Sequence, residues 1–273
     1  MAITKPYICE IAPKTYVINE FGLSAMYLLI GEEKALLIDT GCGICDLKQV
    51  VQTLTDKPLI VVLTHAHMDH AGGMCAFEQV YLNEKDVGLA KSIRREDIVS
   101  YAEMFGKAGG YQVYDYSPES APEFQKYPEF LPLNDGDTFD LGGRIIEAYT
   151  IPGHTAGSVT FLDGANRMMI SGDCCNVNLL ALGASIEATL KGLKKFRSLA
   201  ARFDQNFNGH VGYMGQPNCF SQPQSTADDL IHICEDILAG KGDPKPYEFL
   251  GVALEQMSYG AVKLSYDPEP LVD

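Results

Sequence analysis

Thr64 to Gly73 reads THAHMDHAGG and places His65, His67, Asp69 and His70 within six positions, so half of the chain's six histidines stand in one short stretch. In extended backbone, side chains two residues apart project to the same side. His65, His67 and Asp69 therefore converge for as long as strand geometry persists. His70 breaks that period, which predicts a turn that delivers a fourth donor from another direction. Gly72 and Gly73 let such a turn close tightly and let backbone approach a neighbour. Neutral imidazole and carboxylate suit borderline divalent cations, zinc above all and iron or manganese as alternatives, whereas soft cuprous or iron–sulfur sites require thiolate. A polar loop in solvent would have no reason to concentrate histidine in this way.

Three more donors stand where the chain turns: His154 after Pro152-Gly153, Asp173 after Gly172, and His210 after Gly209. With the first cluster they make seven, namely His65, His67, Asp69, His70, His154, Asp173 and His210. Seven exceeds one tetrahedral ion but suits two divalent ions that share a bridging carboxylate and a bridging water. Asp69 and Asp173 are the candidate catalytic carboxylates. Asp39, in Asp39-Thr40-Gly41, has two readings: it accepts from a ligand imidazole and fixes its tautomer, or it caps the helix that follows. His232 lies on a helical stretch and is expected at its surface.

The elements that must position these groups are legible in part. Leu59 to Leu63 is aliphatic and β-branched between Pro58 and polar residues, which predicts a buried strand ending at the histidine loop. Ahead of it, Ile8 to Ile11, Thr15 to Asn19, Met26 to Ile30 and Lys34 to Asp39 read as a meander of short strands, and Cys45 to Leu54 has helical apolar spacing. Strand, helix, strand implies a crossover with the donors gathered at strand ends. Asn83 to Pro132 reads as a helical and irregular insertion over the site, with Tyr101, Phe105, Tyr111, Tyr114 and Tyr116 available to wall a substrate pocket. Strands follow at Thr138 to Leu141, Arg144 to Thr150, Ser158 to Leu162, Arg167 to Ser171 and Phe203 to Asn208, with a helix at Ser185 to Ala200. A helix at Thr226 to Ala239 and a strand at Gly260 to Tyr266 make a C-terminal extension over about 224–267. No linker divides the 273 residues, so a single domain is expected.

Composition excludes several classes. A formal charge of −15 opposes a nucleic-acid partner, because a phosphate backbone selects basic grooves, and equally opposes docking on anionic membranes. Met1 to Glu10 has no apolar core of a leader and no run of 18 apolar residues occurs, which predicts a soluble cytoplasmic protein acting on a small molecule. Eight cysteines in a chain of this length are expected to be reduced, and Cys42-x-x-Cys45, without a second pair, reads as two small residues at a helix entrance.

Five motifs in order, Leu37-Ile38-Asp39-Thr40-Gly41, His65 to His70, Pro152-Gly153-His154-Thr155, Ser171-Gly172-Asp173 and Gly209-His210, resemble those of the metallo-β-lactamase superfamily of binuclear hydrolases. The likeness runs from about residue 15 to residue 210. It implies an α/β fold, a four-layer αββα sandwich of two mixed sheets with helices outside. It implies that His65, His67 and His154 hold one metal, that Asp69, His70 and His210 hold the other, and that Asp173 bridges both. An aspartate at 173 is similar to the glyoxalase II and lactonase branch, and true β-lactamases lack that bridge. The implied chemistry is hydrolysis of a small ester, lactone or thioester by a metal-bridging hydroxide, formed because two cations bring the pKa of water from 15.7 towards about 7. Homodimers occur among such folds. Other readings are a mononuclear iron site of the persulfide-dioxygenase kind, built on His65, His154 and Asp173, a phosphodiesterase or weak β-lactamase, and a binding module without turnover.

Overall fold

The computed structural model describes residues 2–210 and 219–272. Sixteen strands, labelled in chain order, form three sheets among these residues. The first sheet contains β1 (Tyr7–Ala12), β2 (Thr15–Glu20), β3 (Ser24–Ile30), β4 (Ala35–Ile38), β5 (Leu59–Val62), β6 (Gln79–Leu82) and β7 (Glu129–Pro132), in that spatial order. Its first four strands are antiparallel neighbours, and β4 through β7 run parallel. The second sheet has the order β13 (Gln205–Asn208), β11 (Met168–Gly172), β10 (Val159–Asp163), β9 (Ile145–Thr150), β8 (Thr138–Asp140), with only the β11–β13 pair parallel.

Strand periodicity explains how these sheets stack. In β3 every residue is buried, because the strand has a hydrophobic layer on each face. Met26, Leu28 and Ile30 face a core shared with α1 (Leu47–Leu54), α3 (Val87–Ser92) and α4 (Arg95–Lys107), while Ala25, Tyr27 and Leu29 face the second sheet. The second sheet answers with Ile146, Ala148, Phe161 and Ile170. Its outer face packs Leu162 and Met169 under α5 (Ile186–Ser198) and α6 (Thr226–Leu238). The layers are thus helix, sheet, sheet, helix, as expected. Two helix starts are capped by side chains: Asp46 accepts from Gln49 N at α1, and Ser185 Oγ from Ala188 N at α5, each at 3.0 Å. The cap of α1 is therefore Asp46, not Asp39.

Two regions differ from the sequence reading. Glu129–Pro132 belongs to the sheet, so the stretch at 83–132 ends in a strand that pairs with β6. The C-terminal part is more than a helix and a strand. β12 (Asn178–Ala181), β14 (Lys245–Phe249), β15 (Val252–Tyr259) and β16 (Val262–Tyr266) form a third sheet, ordered β12-β16-β15-β14, in which β12 reaches across more than eighty residues to run parallel with β16. Among the described residues no helix is long and apolar enough to cross a membrane.

Candidate metal centre

The site lies where parallel strands end. β4 leads into Asp39, β5 into Thr64 and His65, β11 into Asp173, β13 into His210, and the β9–β10 connection carries His154. Strand carboxyl ends are where α/β sheets gather ligands. All seven sequence-predicted donors meet there in three overlapping groups, His65 with His67 and His154, His65 with His70 and Asp173, and Asp69 with His70 and His210. Within each group the ligand atoms lie within 4.8 Å of one another.

The local path differs from the expectation in one respect. His67 is extended (φ −70°, ψ 154°) and stands at the N-cap of a single helical turn, α2 (Met68–Ala71). His65 and His67 therefore share a side by strand spacing, whereas Asp69 arrives from the helical turn together with His70. Behind them Gly209 is pressed flat against the cluster, since a Cβ there would lie 2.3 Å from His70 Cε1 and 2.7 Å from Asp173 Oδ1.

Outer hydrogen bonds set which nitrogen of each imidazole points inward. His70 Nδ1 donates to Asp39 Oδ2 at 2.9 Å, and His154 Nδ1 donates to the Leu180 carbonyl at 2.7 Å, leaving Nε2 of each directed at the cluster. Thr64 Oγ1 donates to Asp39 Oδ2 at 2.8 Å and lies 3.0 Å from His65 Nδ1, so it accepts from that ring. One carboxylate thus orients His70 directly and His65 through Thr64, in a backbone held at φ 65°, a region non-glycine residues rarely occupy. Sequence reasoning missed Asp86, which is 2% exposed. It accepts from Ala66 N at 3.2 Å, Thr155 Oγ1 at 2.7 Å and Gly157 N at 2.8 Å, tying the His65–His67 loop to the His154 loop. It also missed Tyr101 as a partner, whose hydroxyl lies 2.9 Å from Asp69 Oδ2.

The electrostatics divide the cluster. Burial, together with neighbouring imidazoles, holds His65 and His154 neutral and pushes His67 down to about 3. Burial also opposes charge on His70 and His210, but facing carboxylates outweigh it: Asp69 and Asp173 raise His70, and Asp173 raises His210. Burial works against Asp69 and Asp173 as well, and the attraction of His70 and His210 brings both carboxyls well below their ordinary range.

These residues fit a pair of divalent cations. His65 Nε2, His70 Nε2 and Asp173 Oδ1 are buried without a hydrogen-bond partner, which is costly unless something else completes them. His67 Nδ1 and His154 Nε2 are 2.8 Å apart, close to the spacing of two donors on one tetrahedral ion, about 3.3 Å for metal–nitrogen bonds near 2 Å.

A cavity of about 660 Å³ opens on the cluster, reached by His67, Asp69, His154, Asp173 and His210. From the 83–132 stretch it takes Tyr101 and Phe105. Tyr111, Tyr114 and Tyr116 are not on its wall: Tyr114 and Tyr116 pack on Phe21, and Tyr111 packs on Tyr116. Cys42 and Cys45 are unpaired and use their backbone amides, at 2.5 and 2.8 Å, to hold the buried Glu20 carboxylate. His232 sits on the surface of α6 beside Asp236 at 3.3 Å.

Comparison with known proteins agrees with this geometry. An acyl-coenzyme A thioesterase of Bos taurus is 30% identical over 164 residues, covering 54% of this chain and 57% of the relative. A hydroxyacylglutathione hydrolase of Haemophilus influenzae is 26% identical over 149 residues, covering 52% and 61%. The chain therefore spans little more than half the length of the curated relatives it matches. A solved metallo-beta-lactamase from Pontibacter korlensis shares the fold, with a TM-score of 0.57 at 19% identity over 85% of this chain and 100% of that one. The family model of the metallo-beta-lactamase superfamily matches residues 19–174, more than half of the sequence and four of the seven clustered donors together with His154 and Asp173, and the chain belongs to that superfamily.

Proposed function

We propose that this protein is a metal-dependent hydrolase that cleaves an acyl ester, lactone or thioester. The observation that carries the reading is the convergence of seven donors with three buried ligand atoms that lack any hydrogen-bond partner. His65, His67 and His154 would hold one divalent ion, Asp69, His70 and His210 the other, and Asp173 would bridge them. When bound, such ions supply Lewis acidity, making water acidic enough to attack at neutral pH and polarising a carbonyl. The side chains supply the rest. Asp39, Thr64 and the Leu180 carbonyl hold three rings in the tautomers that point Nε2 inward. Asp173 Oδ2 lies 2.9 Å from His210 Nε2 and 3.7 Å from His154 Nε2, so it reaches both halves of the cluster, and it lines the cavity in which a substrate carbonyl would rest. The bovine and Haemophilus relatives are named for releasing an acyl group from a carrier, which favours a thioester within this class.

The test is elemental analysis of protein purified without added metal, assayed in parallel on thioester, lactone, phosphodiester and β-lactam substrates. Two divalent ions per chain with turnover of an acyl ester or thioester are expected. A single iron with oxygen uptake, or metal without turnover across the panel, would overturn the reading.

A further inference from the structure

The third sheet has two unlike faces. Leu179, Met257, Val262, Leu264 and Tyr266 point one way, into the core under α5 and α6. By the two-residue alternation the intervening side chains, Asn178, Leu180, Gln256, Lys263 and Ser265 among them, point the other way and wall the cavity. That wall is itself divided. Near β14 it is apolar, with Tyr247, Phe249 and Val252 joined by Leu182. Leu182, Leu250 and Val252 remain 38%, 52% and 51% exposed, so three large aliphatic side chains stand uncovered at the mouth of a cavity that leads to the candidate metal centre. The facing wall supplies Leu89, Ile93 and Phe105. Near β12 the same sheet face is polar, with Asn178, Gln256, Lys263 and Ser265.

Lys263 is distinctive in charge. Outside the histidine and aspartate cluster, the charged residues on the described wall are Asp97 and Lys263, and Asp97 is taken by Arg94 at 2.6 and 2.9 Å. Among the described residues Lys263 has no ion-pair partner, in a chain with a net charge of −15. Its place relative to the chemistry follows from register. Lys263 is paired with Asn178, and two residues further along β12 the Leu180 carbonyl holds His154. Two steps along a strand and one strand across put the Lys263 backbone roughly 8 Å from the backbone that anchors that imidazole.

We propose that the substrate is an anionic amphiphile. Its acyl chain lies in the apolar half of the cavity, and Lys263 binds an oxyanion, carboxylate or phosphate, remote from the scissile bond. Lys263 is a specificity residue and takes no part in bond cleavage. The proposal rests on the hydrolase reading for the word scissile, but its test reads binding.

Calorimetry compares three inert S-decyl thioethers: that of phosphopantetheine, carrying phosphate; that of N-succinylcysteamine, carrying a carboxylate remote from the sulfur; and that of N-acetylcysteamine, neutral. The native chain is expected to bind one or both anionic probes about fivefold tighter than the neutral one, the upper range for a partly exposed ion pair. The preference should weaken as salt rises. Preference for the first probe alone identifies a phosphate-bearing carrier; preference for both identifies any oxyanion. Lys263→Ala should abolish the preference, Lys263→Glu invert it and Lys263→Arg keep it, with the neutral probe bound within about twofold of the native value in all three. Equal affinity of the native chain for charged and neutral probes, or an equal loss for all three probes in Lys263→Ala, overturns the proposal. Turnover of neutral decanoyl ester, thioester and lactone substrates is measured separately: its absence across that panel alongside an intact charge preference refutes the hydrolase reading alone.

Discussion

Replacing Asp86 by Asn would exchange one oxygen for an NH2 group and disturb both halves of a three-histidine group. Its carboxylate receives three hydrogen bonds, from Ala66 N, Thr155 Oγ1 and Gly157 N. An amide keeps a single acceptor oxygen and turns its NH2 toward a donor. Whichever way it is placed, the amide leaves Ala66 N or Gly157 N without an acceptor in a buried position. An unsatisfied buried donor costs about 1–3 kcal/mol, and losing the charge from the remaining bonds adds about 1 kcal/mol. A total near 2–4 kcal/mol is a large part of the roughly 5–15 kcal/mol that holds a typical domain folded. Because Ala66 lies between His65 and His67, and Thr155 follows His154, the same change loosens the fit of the three rings. Metal affinity should fall by about 10- to 100-fold, as for other groups that orient ligands. Urea denaturation gives the first quantity and competition with a chelator the second. Stability within about 0.5 kcal/mol of the native chain, together with unchanged metal affinity, would refute the assignment of Asp86 as the tie between the two loops.

Asp39→Asn should lower metal affinity by about 10- to 100-fold, because His70 or Thr64 loses its acceptor; unaltered competition with a chelator would count against the orienting role. Asp173→Ala should reduce hydrolytic turnover by at least about 100-fold and lower the metal content of the purified protein, and full turnover would contradict the bridging assignment. On the surface, Arg202 and the Tyr149 hydroxyl hold the Glu147 carboxyl below its ordinary range. A depressed carboxyl contributes stability above its unfolded pKa and loses it as pH falls through the folded value. Glu147→Gln should therefore cost about 0.5 kcal/mol at pH 7 and progressively less as pH falls through the folded value, read by denaturation across that range, and a pH-independent difference would refute the ion pair as its source.

Much of the site could be read from residues alone because its signals are local. His65 and His67 obey strand spacing, and each later donor follows a glycine where a strand must stop. The turn at Met68 was less accessible: nothing in MDHA distinguishes continued extension from one helical turn until Thr40 N and Oγ1 bond to the His70 carbonyl. Asp86 could not be found, since an acid three residues after Asn83 looks like helix-start chemistry, and its real partners lie twenty and about seventy positions away. The strand at Glu129–Pro132 is four residues long and ends in proline, so it carries no alternation to read. The third sheet was hidden for a related reason, because β12 is short and half exposed, and its partner β16 follows only after two helices and three other strands.

The unlike faces of that sheet have a consequence for how such a chain can diversify. Residues 262, 264 and 266 serve the frame, while 263 and 265, interleaved with them, face the compartment where a substrate would rest. A mutation on one set of positions is therefore felt by folding and on the other by selectivity, and neighbouring codons answer to separate selective pressures. New substrates could be tried by exchanging alternate residues along β16 and β15, leaving the histidine and aspartate cluster, and the scaffold that aims it, untouched.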